Sequence, residues 1–169
     1  MDHDDLHLFL SIAEIAGVFV GFGALISVAQ DQPVAARAQL RGVVMAGLGV
    51  LVGALLPVTL ARFGLADRAL WGWASAAFLA VIWMIIVPTL RHPEARAWSR
   101  ADVREHPVHN ILFWVFLEVP IQVSLILALL SVIPELDPAF YVTALVLNLC
   151  EAAYLLARVV LARGASPAG

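Results

Sequence analysis

Five long apolar stretches constrain this chain more than any other feature, because each one is long enough to cross a lipid bilayer as a helix. The chain has 169 residues, of which 62% are hydrophobic and only 14% are charged, and its mean hydropathy is +0.92. A soluble domain is about 45–50% apolar and about 25% charged. The sequence therefore predicts an all-α fold, an integral membrane five-helix bundle.

Crossing a bilayer as a helix takes about 20 apolar residues. We predict one transmembrane domain over residues 1–169, with spans at 6–29, 40–61, 69–90, 110–133 and 138–162. The only long connection is the loop 91–109, and proline or glycine breaks the chain at the other three connections. The alternative is four spans with one re-entrant segment. We favour five, since every stretch separately reaches spanning length.

Arginine placement predicts the orientation of the bundle. The chain has no lysine, and if the N-terminus lies outside, eight arginines fall on the inner side and only Arg62 and Arg68 on the outer side. Loops on the cytoplasmic side carry an excess of basic residues, so we predict N-terminus outside and C-terminus inside, which requires an odd number of spans. The arginine-only, alanine-rich composition is typical of a GC-rich bacterial genome. The predicted location is therefore the bacterial inner (plasma) membrane, crossed several times.

Aromatic and basic residues near the span ends predict contacts with the membrane interface. Trp71 and Trp73 lie near the outer end of the third span, and Phe140 and Tyr141 lie near the outer start of the fifth. Segment 93–104 of the inner loop is helix-prone, and its arginines are suited to anionic headgroups. The simpler interpretation is a solvated basic connector that only sets the orientation.

Three carboxylates, Glu14, Glu118 and Glu151, fall well inside the apolar stretches. An ionisable group at that depth is costly unless it faces protein, water or a partner, and such groups commonly mark ion or proton pathways. We therefore expect any function beyond packing to involve these residues.

Two of the carboxylates are predicted to meet in a polar cluster in the inner half of the bundle. Glu118 and Gln122 are four residues apart on one helix face, and Asn148, Glu151 and Arg158 share a face of the last span. Two carboxyls and one arginine cannot all be ionised comfortably in an apolar site, so one glutamate is expected to pair with the arginine while the other holds a proton.

Pro120 is predicted to change the backbone of the helix at this cluster. It lies between Glu118 and Gln122, where it removes a backbone hydrogen bond and is predicted to free the carbonyl of Phe116 in a kinked helix. A freed carbonyl beside polar side chains suits a cation or a water molecule. The alternative is a packing kink in which the carboxylates are held in static salt bridges.

The first two spans carry small residues at helical spacing, which predicts a close-packed seam. Its glycines are Gly17 and Gly21 in the first span and Gly42, Gly49 and Gly53 in the second. The seam is either an oligomer or pore-lining surface, or ordinary packing of the first span on the second. Glu14 shares the face of Gly17 and Gly21, so we expect its carboxylate to face the seam instead of lipid, within reach of Arg62.

Several protein classes are excluded by missing patterns. The chain has no phosphate-binding glycine loop, zinc-protease motif, nucleophile elbow or potassium-filter sequence. It has no mid-span histidine that could hold haem, and its only cysteine, Cys150, cannot form an internal disulfide. We therefore predict no enzyme activity, no catalytic residue, no metal, no cofactor and no nucleic-acid partner.

Two functions remain as hypotheses. The first is an oligomeric channel or proton-coupled permeation protein that uses Glu118, Glu151, Asn148, Gln122 and Arg158, with Glu14 as an outer site. The second is a non-catalytic accessory or assembly subunit of a larger membrane complex. One bundle of 169 residues has little room for a private pathway, so beyond the lipid bilayer we expect the partners to be further copies of the chain or other membrane subunits.

Overall fold

The computed structural model describes residues 3–28, 34–91, 103–104 and 107–164. Over these residues the chain forms five helices and no strand, which confirms the predicted all-α class. They are α1 (His3–Val28), α2 (Val34–Arg62), α3 (Asp67–Arg91), α4, and α5 (Asp137–Gly164). Helix α4 consists of three consecutive segments: Pro107–Phe113, a π-helical turn Trp114–Glu118, and Val119–Leu130.

Four of the five helices are long and apolar enough to cross a membrane. These spans are Asp5–Val28, Leu40–Arg62, Asp67–Pro88 and Pro134–Leu161, whereas the apolar part of α4, Trp114–Leu130, is shorter. The first segment of α4 contributes polar His109 and Asn110 to the run, which shortens its apolar length. A complete crossing by α4, and the N-outside orientation, therefore stay predictions. Most of the predicted inner loop, residues 92–102 and 105–106, lies outside the described residues.

Two helices end in the same way, each with one residue in the left-handed backbone region. After α2 this residue is Gly64 (φ 86), and after α4 it is Ser131 (φ 50). At each end two backbone N–H groups bond back to carbonyls of the last turn, as in a Schellman motif: Gly64 and Leu65 after α2, and Ser131 and Val132 after α4. These short ends let α2 and α3, and α4 and α5, pack as antiparallel neighbours.

Helices α2, α3, α4 and α5 form a four-sided bundle. Each packs against the next along the chain, and α5 closes the ring by packing against α2. Helix α1 lies outside this ring, where it packs along α2 and touches α5 over a smaller area. Short connections between antiparallel neighbours are typical of such bundles. The arrangement leaves α1 with one covered and one open side.

A cluster of four aromatic side chains joins α1, α3 and α5 toward the end of the bundle that holds the α2–α3 and α4–α5 connections: Phe9, Trp71, Phe78 and Tyr141. The Tyr141 ring lies 6.2 Å from Phe9, 5.8 Å from Trp71 and 5.9 Å from Phe78, measured between ring centroids. The Tyr141 hydroxyl donates a 2.6 Å hydrogen bond to the backbone oxygen of Gly53 on α2. We call these four residues the aromatic cluster.

The prediction that Trp71 and Tyr141 anchor the membrane interface is wrong. Trp71 is 7% exposed and Tyr141 is fully buried, whereas the neighbouring Trp73 is 65% exposed. The reason is that Trp71 and Tyr141 lie on the helix faces that point into the ring, where the tyrosine hydroxyl finds a partner on α2. An aromatic residue near a span end therefore packs inward when a buried acceptor is available.

Candidate functional site

The polar cluster lies in the half of the bundle away from the α2–α3 and α4–α5 connections, and it begins with Glu118 at the end of the π turn. Its side chain is buried, at 6% exposure. Gln122, one turn further along α4, donates a hydrogen bond of 2.9 Å from Nε2 to Glu118 Oε1. This is the i, i+4 contact expected from the sequence. The amide holds the carboxyl in one place, and one of its two oxygens stays available to another partner.

The π turn lies directly before Pro120. In it the N–H of Val119 bonds to the oxygen of Trp114, five residues back, so the helix is locally wider than an α-helix. Backbone angles at Phe113, Glu118 and Val119 all stay in the right-handed helical region, so α4 continues without a break. Local π adjustments are one way in which membrane helices accommodate a proline, and they occur frequently at functional sites. Release of the Phe116 carbonyl stays a prediction.

Helix α5 brings Glu151 and Asn148 to the same site. The π turn packs against α5, and the carboxyls of Glu118 and Glu151 are close enough for their charges to interact. Asn148, one turn before Glu151, is 5% exposed. Its side-chain oxygen is buried and accepts no hydrogen bond from the described residues. Of the five residues predicted to form the cluster, Gln122 bonds to Glu118, and Glu151 lies near Glu118 across the packed interface of α4 and α5.

Arg158 lies about two turns beyond Glu151 on α5 and is partly buried. Between these two levels Phe113 of α4 and Tyr154 of α5 bring their rings to 5.9 Å. The predicted pairing of one glutamate with Arg158 stays a prediction. The aromatic pair covers the α4–α5 interface next to the carboxyls, on the side of the C-terminal end of α5.

The chemistry of the site follows from its groups. It contains two carboxyls, one amide that donates to Glu118, and one amide oxygen without a donor. The free oxygen of Glu118 and the Asn148 oxygen could each accept a further hydrogen bond, so a proton, a water molecule or a small cation would fit this site. In the described part of the chain, no group of three or more histidine, cysteine, aspartate or glutamate side chains could hold a metal ion.

Glu14 does not face the packing of α1 on α2 within the chain, so that version of the predicted seam is wrong, and the oligomer surface stays a prediction. The buried face of α1 consists of Phe9, Ile12, Ala16 and Gly23, and Glu14 lies on the opposite side, exposed and close to the middle of the span Asp5–Val28. Among the described residues its carboxyl has no hydrogen bond or ion pair. Arg62 does not supply one, because it lies roughly 15 Å away along the helix axes at about 1.5 Å per residue, in the register set by Gly47 against Ala16 and Val20.

The glycines divide into two groups. A Cβ atom added to Gly17 or Gly21 would meet nothing within 4 Å, so these two do not pack against α2 within the chain. On α2, a Cβ at Gly42 would lie 3.4 Å from Leu155, one at Gly49 would lie 3.6 Å from Ile85, and one at Gly53 would lie 2.8 Å from Phe78. The three α2 glycines therefore pack inside the bundle against α3 and α5, and not against α1 as predicted for packing of the first two spans, whereas the α1 glycines remain on an open face.

The closest approach of α1 to α2 involves glycines that the sequence analysis missed. A Cβ at Gly47 would lie 2.8 Å from Val20 and 3.3 Å from the backbone oxygen of Ala16, and one at Gly23 would lie 2.9 Å from Val44. Ala16 and Gly23 are seven residues apart, so they share a face. The seven-residue spacing of Ala16 and Gly23 could have indicated the face of α1 that packs on α2. The sequence analysis chose the face of Gly17 and Gly21 because their four-residue spacing is the more familiar pattern.

A second buried polar contact was also missed. Ser131 donates a 2.6 Å hydrogen bond from its hydroxyl to Asp137 Oδ2, and both side chains are buried at the connection of α4 to α5. The other carboxylate oxygen of Asp137 has no hydrogen-bond partner among the described residues. A serine and an aspartate on either side of a proline-containing turn are ordinary turn residues, so their burial was not visible in the sequence.

We compared the chain with models of known protein families, with characterised proteins and with solved structures, and none of the three comparisons found a match. The class that the fold defines is a helical protein with four helices apolar enough to span a membrane. Function is therefore inferred from the site itself.

Proposed function

We propose that this chain is a membrane-embedded, proton-coupled permeation protein in which Glu118 and Glu151 bind and release the proton. The observation that carries the proposal is the packed α4–α5 interface, where Glu118 and Glu151 lie close enough for their charges to interact, one turn from the Asn148 oxygen, which has no hydrogen-bond partner among the described residues. The proposal assigns one shared proton to the two carboxyls, since two carboxyls close together in an apolar site do not both ionise comfortably. Loss or gain of that proton changes the charge of the α4–α5 interface. In this proposal, the change in charge drives a movement of α4 against α5.

The placement of the two carboxyls on different helices supports a proton-driven switch at the α4–α5 interface. Glu118 sits at the end of the π turn, and its bond to Gln122 is made within α4, whereas Glu151 belongs to α5. A change in charge between them therefore acts across two helices. Helix interfaces that exist in two arrangements are the usual carriers of such changes.

The aromatic cluster restricts the route by which a proton or an ion can reach the carboxyls. Its rings fill the bundle between the carboxyls and the outer end of the helices, with Tyr141 bonded to α2. A proton or ion that reaches the carboxyls from the outer side must therefore pass a displaced cluster or run between copies of the chain. From the other side, the Phe113–Tyr154 pair borders the site.

Proton flux into liposomes tests the proposal. Purified protein is reconstituted with an internal pH-sensitive dye, and an imposed pH gradient is followed in wild type, Glu118→Gln and Glu151→Gln. We expect wild type to dissipate the gradient faster than empty liposomes and each variant to lose at least about tenfold in rate, since a glutamine cannot carry the proton. Glu135→Gln, at the exposed connection before α5, is the matched control and should keep the wild-type rate.

Two outcomes would contradict the proposal: wild-type liposomes no leakier than empty ones, and flux that persists in both glutamine variants. Glutamine preserves the size of the side chain and, at residue 118, a hydrogen bond to Gln122. A change in thermal stability can therefore be measured separately from a change in flux.

The open face of α1 favours a second candidate, the accessory or assembly subunit. Glu14, exposed at mid-span without a partner in the described chain, needs a neighbour that the protomer does not supply. For this function the Glu118→Gln and Glu151→Gln variants lower stability or recovery of a complex while flux stays at the level of empty liposomes.

A further inference from the structure

The open face of α1 has the spacing of a helix–helix seam along most of its length. Successive members of this face are alternately four and three residues apart: Leu10, Glu14, Gly17, Gly21, Ala24 and Val28. All are exposed except the half-exposed Gly17. An average spacing of 3.5 residues keeps one stripe of a helix against a partner helix that winds around it. We call these six residues the α1 seam.

Nothing in the described chain occupies the α1 seam. Added Cβ atoms at Gly17 and Gly21 would meet no heavy atom within 4 Å, whereas the other side of α1 is packed so closely on α2 that an added Cβ at Gly47 would collide with Val20. Small residues at membrane-helix interfaces let backbones approach. The two glycines on the open side therefore leave room for another helix.

Glu14 is a second and independent observation on this face. Its carboxyl is exposed near the centre of the apolar span, and in lipid it would have neither water nor a protein partner. Within the described chain the nearest arginine at the same end of the bundle, Arg62, lies too far away, as shown above. A polar group at this depth requires a polar group at the same depth on whatever covers it.

We infer that a second copy of this chain docks on the α1 seam, so that two α1 helices pack in parallel and the two Glu14 carboxyls hydrogen-bond across the dimer axis. Copies inserted in the same orientation are related by a two-fold axis along the membrane normal, so each seam residue meets itself. A protonated carboxyl both donates and accepts. Glu14 is therefore complementary to its own counterpart, whereas any other helix would need a polar group placed at this one depth.

Energy transfer between labelled copies in liposomes tests the inference. The label is placed on Cys150, which is the only cysteine and is exposed on α5, and donor and acceptor copies are mixed at several lipid-to-protein ratios. We expect a dimer in wild type and a loss of more than about tenfold in association for Gly17→Leu and Gly21→Leu, since the added side chains hold the helices apart. A Cβ atom added at either position meets no heavy atom of its own protomer within 4 Å, so we expect the protomer to fold normally.

Ala80→Leu is the matched control, because it adds bulk to an exposed position of α3 away from the seam. It should leave association unchanged. Glu14→Gln, which still donates and accepts, should retain the dimer, whereas Glu14→Leu should weaken it by roughly threefold to tenfold, the range found for single polar contacts between membrane helices.

Cysteine crosslinking gives the geometry directly. In a Cys150→Ser background, Gly17→Cys should form a disulfide-linked dimer on mild oxidation, and Val18→Cys and Ala80→Cys, which are exposed but off the seam, should not. Monomeric wild type at every lipid ratio, a dimer that tolerates Gly17→Leu, or equal crosslinking at all three positions would overturn the proposed interface. A dimer unaffected by Glu14→Leu would overturn the carboxyl contact. None of these readouts depends on proton flux.

Discussion

At the residue scale, three hydrogen bonds hold polar side chains in place where water is scarce. Gln122 holds Glu118, Ser131 holds Asp137, and Tyr141 bonds to the backbone of Gly53. The first lies within one helix and the second within one connection, whereas the third ties α5 to α2. An unmade hydrogen bond in an apolar interior costs more than a made one contributes. The Tyr141 bond therefore also restricts how α5 is rotated against α2.

Replacing Tyr141 by phenylalanine should lower the free energy of unfolding by about 0.5–1.5 kcal/mol, since the ring contacts stay and only the bond to Gly53 is lost. Unfolding in mixed micelles with increasing detergent denaturant measures the change. Tyr154→Phe is the matched control, because Tyr154 contacts Phe113 through its ring and its hydroxyl has no hydrogen bond in the described structure. Equal losses in the two variants would show that the Tyr141 hydroxyl contributes nothing specific.

The sequence was a good guide to polar contacts within a helix and a poor guide to those between elements. The four-residue spacing of Glu118 and Gln122 is enough to predict their bond, and the shared face of Asn148 and Glu151 brought them to the right site. The contact of Ser131 with Asp137 depends on a left-handed backbone at Ser131, which a non-glycine residue seldom adopts. The sequence carries no local sign of that conformation.

At the element scale, the fold depends on which side of each helix carries its glycines. Helix α2 is covered on several sides, and an added Cβ at Gly53 would lie within 3 Å of both Phe78 and Leu145. Helix α1 is covered on one side only, and its Gly17 is free of contacts. We therefore expect a larger side chain to be tolerated poorly in place of Gly53 on α2 and well in place of Gly17 on α1.

Gly53→Ala should lower the free energy of unfolding by about 1–3 kcal/mol, because the buried Phe78 ring has to move for the added methyl group. Gly17→Ala is the control, and in dilute micelles that favour the protomer it should leave stability unchanged or slightly raised, since alanine is the better helix former. Denaturant unfolding of both proteins measures the difference. A Gly53→Ala protein as stable as wild type would show that α2, α3 and α5 pack less closely than described.

The rotation of α1 was the main error at this scale, and it has a physical cause. Lipid chains are as apolar as the protein interior, so a membrane helix does not need to be amphipathic to be covered on one side. Phe9 and Ile12 on the buried side and Leu10 and Val18 on the open side are equally apolar. The number of helices and their approximate ends follow from apolar length, whereas their rotation depends on contacts that only the folded chain defines.

At the scale of the whole molecule, the four-sided bundle of α2 to α5 is closed and α1 is peripheral. Antiparallel neighbours in the ring place both the α2–α3 and the α4–α5 connections at one end, which the arginine distribution predicts to be outside. With five crossings the N-terminus shares that end, and the C-terminus of α5 lies at the other.

Reporter fusions test this topology. A fluorescent reporter that matures only in the cytoplasm should be active when fused after Gly164 and inactive when inserted at Gly64, between α2 and α3. An export-dependent phosphatase at the same two positions should give the reverse pattern. Phosphatase activity at the C-terminal fusion would contradict the N-outside, five-crossing arrangement, and would favour four crossings with a re-entrant α4.

The aromatic cluster can be completed during synthesis only when α5 has been made. Phe9 and Trp71 belong to helices that are made before α5, whereas Tyr141, which contacts both rings and bonds to Gly53, lies on α5. Until α5 arrives, Phe9 and Trp71 can contact each other but lack the Tyr141 ring, and the ring of helices is open. Helix α5 therefore completes the ring of helices, and a chain truncated before α5 has no completed core.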